Sequence, residues 1–340
     1  MQQFKMLILT DHEYHSAENS LYHLAKAVYH HPRCAQVDVA TRVNALNEAF
    51  FYKYSGKSLF ATPVNEGFTF HADGRVFKKN LRRVSLYNYD VIWLRMPPPL
   101  SAEFLTFLEK KFPNVLIIND PMAILATGSK AFLLRFSDIC PPMKICRSVE
   151  DIVEFKQQFP IVLKPFREYG GRGIILIKGE EVWLGKTQIT FAQLVEQLAQ
   201  QPIEYLAVKF LKNVKKGDKR IVVVAGKIMG ASLRLPAADS WICNVAMGGS
   251  SNFTEVDDDE RNIVARVNEE LGQMGIVMYG VDTLVNDDGK RVLSELNTTS
   301  IGGLPQIARM MNQPLVKEAV DLICQFIMQK ITKYDANTSQ

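Results

Sequence analysis

The chain has 340 residues, a length that suits two or three domains rather than one. Its hydrophobic content of 47%, charged content of 22% and net charge of +4 are typical of a globular protein and exclude the strongly basic class. We therefore expect no nucleic-acid partner. Because no apolar run approaches the ~20 residues that a membrane-spanning helix needs, we expect no membrane partner either.

The cysteines indicate a reducing compartment. The five of them are widely spaced, their number is odd, and no CxxC pair or signal peptide is present. Free thiols and a cytoplasmic location are therefore expected.

The first part of the chain alternates strands and helices. Residues 4–10 predict a buried strand, 20–28 a helix and 36–40 a second strand. This order predicts a parallel sheet, whose ligands bind at the carboxyl ends of the strands, here near Asp11 and His12. The run 11–15 (Asp-His-Glu-Tyr-His) resembles a metal cluster, but a surface or substrate-loop role is favoured at such a turn.

The rest of this domain is less regular. Residues 44–83 are rich in aromatic side chains and broken by glycines, which favours a small hairpin. Strands are predicted at 90–95 and 115–119, and Ser101 is a candidate N-cap for a helix to residue 112. The α/β domain is expected to occupy residues 1–125.

Between residues 161 and 178, two strands flank a glycine-containing loop. This is not a Walker motif, because no helix follows Gly170 and Gly171. Backbone N–H groups of such a loop can still bind phosphate, and Lys164 at the strand end would add a positive charge. The alternative is an ordinary glycine-rich hairpin.

Further elements follow in both halves of the remaining chain. Strands are predicted at 143–147, 205–211, 219–226 and 228–235, helices at 148–159, 190–200, 258–274 and 315–330, a loop at 244–251 and a disordered polar tail at 333–340.

The stretch from Met278 to Ser300 holds a second hairpin. Asp288-Gly289 between two alternating runs predicts a two-residue type I′ turn. That turn sets three opposed pairs: Asp287 with Lys290, Val285 with Val292, and Asp282 with Glu295.

Two carboxylates thus face each other on this hairpin. Like charges in opposed positions are destabilising, and Asn297 adds an oxygen ligand on the same face as Asp282 and Glu295. Three hard oxygen groups favour Mg²⁺. The alternative is a solvated acidic face with lysine or arginine nearby.

Several motifs then occur in one order. They are Lys130 before a short helix, Lys164 with Gly170 and Gly171, Gly217 to Arg220, Leu233 to Pro236, Asn244 with Gly248 and Gly249, and Asp282 with Glu295 and Asn297. In this order they resemble the ATP-grasp ligases, and from about residue 94 to 300 the chain is similar to bacterial glutathione synthetase. Arg95 with Pro98 and Pro99 resembles the N-domain signature of that family.

The resemblance implies an N-terminal parallel-sheet, Rossmann-like (pre-ATP-grasp) α/β domain followed by an ATP-grasp fold of two α+β subdomains. These would span residues 126–203, the small lid subdomain, and 204–332, the subdomain with the metal site, followed by the tail 333–340.

The resemblance also implies nucleotide-binding residues. Lys130 and Lys164 would hold ATP phosphates, and the loop 168–173 would close over them. The implied set is Lys130, Lys164, Glu168, Tyr169, Gly170, Gly171, Lys209, Phe210 and Leu211 at the adenine, Asp218 near the ribose, and Asn297.

The implied catalytic residues are Arg220 and Arg234, which would contact phosphate or the reacting acyl group. Asp282, Glu295 and Asn297 would hold Mg²⁺, as two ions, with Mn²⁺ as a substitute. Substrate would contact Arg95, Asn244 and Ser300.

The implied activity is an ATP-dependent carboxylate–amine ligation through an acyl phosphate, as in joining γ-glutamylcysteine to glycine. Small-molecule substrates and a homo-oligomer are implied with it. The chain departs from the family pattern at Pro97, at Ile242, where an arginine is usual, and at 301–303 (Ile-Gly-Gly). These departures leave open a ligase for another amino acid, peptide or natural-product carboxylate. A non-catalytic ATP-binding sensor or scaffold is the alternative of another class.

Overall fold

Three β-sheets organise the protein, seen here in a computed structural model that describes residues 2–168, 170–200, 202–236 and 250–338. The first sheet has the order β4-β3-β2-β1-β5-β6. Its strands are β1 (Phe4–Thr10), β2 (Cys34–Thr41), β3 (Ser58–Pro63), β4 (Arg82–Ser85), β5 (Val91–Arg95) and β6 (Leu116–Ile118). Its helices are α1 (Ser20–Tyr29), α2 (Glu48–Phe51), α3 (Ala102–Lys111) and α4 (Pro121–Thr127).

The predicted parallel sheet is confirmed for β2, β1, β5 and β6. The aromatic stretch adds β3 and β4, which pair antiparallel at one edge but are joined by a long connection rather than a hairpin turn. Ser101 accepts a hydrogen bond from the Phe104 amide as the N-cap of α3.

The second sheet is antiparallel, in the order β11-β10-β9-β8-β12-β7. Its strands are β7 (Met143–Cys146), β8 (Ile161–Pro165), β9 (Ile175–Lys178), β10 (Glu181–Leu184), β11 (Thr187–Thr190) and β12 (Tyr205–Lys209), with helices α5 (Val149–Lys156) and α6 (Phe191–Leu198). Strands β10 and β11 were not predicted. Strand β12 falls in the range predicted for the C-terminal subdomain, yet it pairs with β7 and β8.

The third sheet is also antiparallel, in the order β15-β14-β13-β16-β17. Its strands are β13 (Asp218–Val224), β14 (Lys227–Leu235), β15 (Ser250–Thr254), β16 (Met278–Val285) and β17 (Arg291–Asn297). Three helices complete it: α7 (Asp258–Gln273), α8 (Leu304–Met311) and α9 (Leu315–Thr338). The prediction of a disordered tail is wrong through residue 338, because no proline or glycine interrupts the helix.

The predicted register of the β16–β17 hairpin is partly wrong. At its tip only Gly289 has a positive φ, of 87°, so the turn is not type I′. The Asn286 side chain accepts from the amides of Asp288 and Lys290 and widens the loop. As a result Val285 pairs with Arg291, and the predicted pairs Asp287–Lys290 and Val285–Val292 do not form.

A bulge then restores the predicted register further along. The shift lies between Asp282 and Thr283 on β16, and Ser294 is the extra residue on β17. Asp282 therefore does face Glu295, as predicted.

The hydrophobic core joins the first sheet to the third. One buried cluster contains side chains of β1 and α1 together with side chains of β13, β16 and α9. The second sheet has a cluster of its own under α5 and α6. In the described part of the chain no helix has both the length and the apolar character to span a membrane.

Candidate active site

A cleft of about 300 Å³ lies where the second and third sheets meet. Twelve of the predicted site residues line it: Lys164, Gly170, Gly171, Lys209, Phe210, Leu211, Asp218, Arg220, Arg234, Asp282, Glu295 and Asn297. They come from β8 and the loop after it, from the end of β12 and the residues that follow it, and from β13, β14, β16 and β17. The fold therefore brings together residues that are far apart in the sequence.

The carboxylate of Asp282 is buried and held by two arginines. Arg220 donates from Nε and Nη2 to its two oxygens at 2.7 and 2.6 Å, and Arg234 Nη2 lies 2.8 Å from Oδ2. Although burial alone would raise it, the two arginines hold the pKa of Asp282 well below its usual range. The repulsion expected between Asp282 and Glu295 is thus offset by cations from the neighbouring strands.

Asp218 is the second buried carboxylate of this wall. Arg234 Nη2 donates to its Oδ2 at 2.6 Å. Burial, followed by the charge of Asp282, raises the pKa of Asp218 to about 7. Within the described ranges, Asp218 Oδ1 and Arg234 Nε are buried without a hydrogen-bond partner. Two unsatisfied polar atoms in one cleft wall indicate a place for a polar ligand.

Lys130 lies beside Glu295. Its Nζ is 3.8 Å from Glu295 Oε1 and also donates to the backbone carbonyl of Glu168. Burial lowers the pKa of Lys130, and Glu295 partly offsets this. Lys130 therefore connects the glycine-containing loop to β17, which carries Glu295. It lies beside the main cleft rather than in its lining.

Lys164 projects from β8 to the bulge on β17. Its Nζ lies 3.4 Å from the carbonyl oxygen of Ser294, the extra residue of that bulge. Neither Ser294 nor its carbonyl was predicted to belong to the site, and no sequence pattern marks a bulge of this kind.

Part of the cleft wall is apolar. Side chains of both sheets form its walls: Leu133, Met143, Val162, Ile174, Val208, Leu211, Leu284 and Leu293. Lys209 Nζ binds Asp287 Oδ2 at 2.8 Å at the tip of the hairpin. Such walls can hold a flat apolar group.

Arg95 and Ser300 lie away from this cleft. Arg95 is 3% exposed, and its Nη2 donates to Ser20 Oγ and to the Ile301 carbonyl, both at 2.7 Å. Ser300 Oγ donates to the Arg95 carbonyl at 3.3 Å. Two of the predicted substrate residues thus join the first sheet to the third. Tyr169 and Asn244 lie outside the described residues.

The donor set fits a divalent cation. Glu295 is part exposed to the cleft, and Asn297 donates from Nδ2 to Asp282 at 3.2 Å. Carboxylate and amide oxygens are the ligands that Mg²⁺ prefers, together with substrate phosphate. In the described residues no three His, Cys, Asp or Glu side chains gather as a metal cluster, and the set here has two carboxylates and one amide. The run at Asp11 to His15 gives no such cluster either.

The comparisons with known proteins agree with this geometry. The profile of the family described as "Prokaryotic glutathione synthetase, ATP-grasp domain" matches residues 129–312. A glutathione synthetase of Bradyrhizobium diazoefficiens is 31% identical over 246 residues, which cover 71% of this chain and 75% of that protein. Another, from Parasynechococcus marenigrum, is 32% identical over 244 residues, covering 70% of this chain and 76% of the relative.

Solved structures share the fold at low identity. The D-cycloserine synthetase DcsG superposes with a TM-score of 0.62 at 12% identity, covering 95% of this chain and 99% of that one. The D-alanine-D-alanine ligase from Coxiella burnetii gives a TM-score of 0.60 at 12% identity and covers 100% of both chains. The predicted fold, an N-terminal α/β domain followed by an ATP-grasp unit, is confirmed. The chain belongs to the prokaryotic glutathione synthetase family and is an ATP-dependent ligase that acts on small molecules with ATP and a divalent metal.

Proposed function

We propose that the protein joins γ-glutamylcysteine to glycine with ATP and Mg²⁺. One observation carries this proposal: the same cleft has apolar walls, Lys164 beside a glycine-containing loop with Lys130 adjacent to it, and a charged wall built from acids and arginines. The named relatives are glutathione synthetases. A homo-oligomer, expected from the resemblance, and a cytoplasmic location, expected from the cysteines, are part of the same proposal.

We assign the nucleotide along the cleft. Adenine would lie against the apolar walls near Lys209, Phe210 and Leu211, with Asp218 towards the ribose. The phosphates would lie under the loop 168–173, against Lys130 and Lys164. Placed there, two ammonium groups offset phosphate charge in a site shielded from water.

The charged wall would hold the reacting groups. Asp282, Glu295 and Asn297 would take two divalent cations, which supply charge neutralisation when bound. Arg220 and Arg234 would turn from Asp282 towards the transferring phosphoryl group and the substrate carboxylate.

The proposed reaction has two steps. A substrate carboxylate oxygen attacks the γ-phosphorus, the bond to ADP breaks, and an acyl phosphate forms. The amine nitrogen then attacks the acyl carbon, inorganic phosphate leaves, and the amine loses a proton. The side chains align the reactants and stabilise charge, and the loop 168–173 keeps water from the acyl phosphate.

The predicted domain boundaries at residues 125 and 332 are also kept as proposals, and the boundary predicted at residue 203 is revised. Because β12 pairs with β7 and β8, we place the boundary between the two ATP-grasp subdomains after Lys209 instead of after residue 203.

A second candidate is a ligase with another acceptor amine. The carbonyl of Ile301 is held by Ser20 and Arg95, and a Cβ built on Gly302 or Gly303 would meet no atom within 4 Å. This open space follows Asn297, the proposed metal ligand, at the positions where the chain departs from the family pattern. It would accommodate an acceptor larger than glycine.

One experiment separates the two candidates. The full chain is given ATP, Mg²⁺, γ-glutamylcysteine and glycine, each omitted in turn, with ADP release and product mass as readouts. We expect ADP release that needs all four and a product of glutathione mass. Replacing glycine by alanine, β-alanine or serine tests the second candidate, which a product formed only with a larger amine would favour.

A further inference from the structure

A second cavity lies at the edge of the first sheet, in the aromatic stretch that the proposed reaction does not use. It measures about 230 Å³ and lies between strand β3 and the segment 64–80 that folds over it. Its polar lining consists of Thr62, Asn65, His71, Arg75, Lys79 and Asn80. None of these residues lines the main cleft. We call this cavity the edge pocket.

A buried hydroxyl of the edge pocket lacks a partner. Thr62 is 5% exposed, and in the part of the chain that the structure describes its Oγ1 makes no hydrogen bond. Thr62 pairs with Val39 on β2, so both side chains point to the same face of the sheet. Val39 packs in the cluster that includes Phe68 and Phe77, which places Thr62 under the segment 64–80. A ligand in the pocket could supply the missing hydrogen bond after a small shift.

The charges of the edge pocket are of one sign. Arg75 Nη2 donates to His71 Nδ1 at 2.8 Å, which orients the guanidinium. Lys79 has no ion-pair partner among the described residues, and no carboxylate is found in the lining. Asp73 lies outside the lining, with its Oδ1 4.0 Å from Arg75 Nε and a side chain that is 64% exposed. An ammonium group without a carboxylate partner, beside a guanidinium whose ion pair with Asp73 is long and exposed, favours an oxyanion.

We propose that the edge pocket is a binding site for a small molecule that carries a phosphate or carboxylate group, separate from the site of ligation. Arg75 and Lys79 bind the oxyanion, Asn65 and Asn80 supply amide groups at the rim, and Thr62 contacts the part of the ligand nearest the sheet. The apolar side chains of Phe68 and Val76 form the remaining wall, which suits a short carbon chain.

The test is calorimetric titration of the full chain with inorganic phosphate and, separately, with succinate. The wild type is compared with an Arg75→Gln, Lys79→Gln double variant and with Thr62→Val. A matched control, Lys57→Gln with Arg83→Gln, removes two exposed cations near the same edge strands and gives the same net charge. Because Arg75 and Lys79 are exposed, the double variant should keep the wild-type urea midpoint.

We expect saturable binding of one molecule per chain, with a Kd of about a millimolar or tighter for at least one probe. The double variant should weaken it at least tenfold and Thr62→Val a few-fold, while the control stays within twofold. The stronger of the two probes identifies phosphate or carboxylate as the natural group. Absence of saturation with both probes, or equal binding by the double variant, would overturn the proposal. Phosphate bound in the main cleft would survive the double variant and so be distinguished.

Discussion

At the scale of single residues, Asp282 and Glu295 occupy opposed positions in different surroundings. Asp282 is 1% exposed and is bonded to Arg220 and Arg234, whereas the Glu295 side chain is 32% exposed and lies 3.8 Å from Lys130. We predict that Glu295→Gln lowers kcat by at least about 100-fold, because a cation ligand at the reacting phosphate is lost. Its free energy of unfolding without nucleotide should change by less than about 1 kcal/mol, since a like charge facing Asp282 is removed.

The control for Glu295→Gln is Asp288→Asn, which removes an exposed carboxylate from the tip of the same hairpin. That variant should keep wild-type kcat. Mg-ADP should raise the melting temperature of the wild type and of Asp288→Asn but much less that of Glu295→Gln. Equal nucleotide stabilisation of all three proteins would show that Glu295 does not hold the cation.

His15 makes the stability of the first domain sensitive to acid. Burial lowers the pKa of His15 from 6.5 to about 4. As the pH falls below 6.5 the unfolded chain takes up a proton that the folded chain does not, so stability is lost between about pH 6.5 and pH 4. After allowance for its part exposure, this loss from pH 7.5 to 5.5 is about 1 kcal/mol.

We therefore predict that His15→Phe, which keeps a ring against Tyr22 and Phe77, loses less stability than the wild type over that pH interval. Urea midpoints at the two pH values measure it. His23→Gln changes an exposed histidine of α1 and should retain the wild-type pH dependence. A His15→Phe profile that parallels the wild type would contradict the assignment.

At the scale of elements, the loop between β8 and β9 is built on left-handed glycines. Gly173 has φ +66°, and a Cβ there would lie 2.9 Å from Pro165 Cγ. Gly179, in the turn after β9, has φ +62° and open space around it. Changing either glycine to alanine should cost about 1 kcal/mol of backbone strain. Only the change at Gly173 should also displace the loop, because only there would the new Cβ meet a neighbouring atom.

We predict that Gly173→Ala weakens Mg-ATP binding about tenfold, whereas Gly179→Ala leaves it unchanged. Calorimetric titration with Mg-ATP measures this without a second substrate. If both variants bind like the wild type, the loop does not contact the phosphates.

Strands and helices with strong local signals could be read from the sequence, and elements set by tertiary contacts could not. Alternation and the Asp288-Gly289 signal predicted β16 and β17, whereas the predicted Asp282–Glu295 pair forms because the bulge at Ser294 offsets the wider loop. The type of turn was missed because the Asn286 side chain captures two amides. Helix α8 was missed because its N-cap, Gly303, has no side chain that could mark the start of a helix.

At the scale of the whole molecule, the residues of the site could be predicted from an ordered set of motifs, but the contacts between their side chains could not. Nothing in the sequence indicates that Arg220 and Arg234 both form ion pairs with Asp282. Nor does it indicate that Arg95 joins two sheets instead of facing the cleft. These contacts link residues from distant parts of the chain, and they depend on how the sheets pack. The sequence therefore predicts which residues form the site better than it predicts the contacts among them.

Asn119 makes another of these long-range connections. Its Nδ2 donates to the carbonyls of Met278 and Thr298, both at 2.7 Å, and its Oδ1 accepts from the amides of Val277 and Met278 at 2.7 and 3.1 Å. All four bonds are buried and join the end of the first sheet to the third. The two sheets also share a hydrophobic cluster. They should therefore unfold together.

We predict that Asn119→Ala lowers the free energy of unfolding by about 3–5 kcal/mol, because buried backbone groups lose their partners. Asn19→Ala, which removes the local N-cap of α1, should cost only about 1 kcal/mol. Urea unfolding is followed by far-UV circular dichroism and by fluorescence of Trp93, in a background with Trp183→Phe and Trp241→Phe. Coincident transitions of both probes, shifted together by Asn119→Ala, are expected. An Asn119→Ala shift no larger than that of Asn19→Ala, or a Trp93 transition that separates from the rest, would mean that the first sheet folds independently of the ligase core.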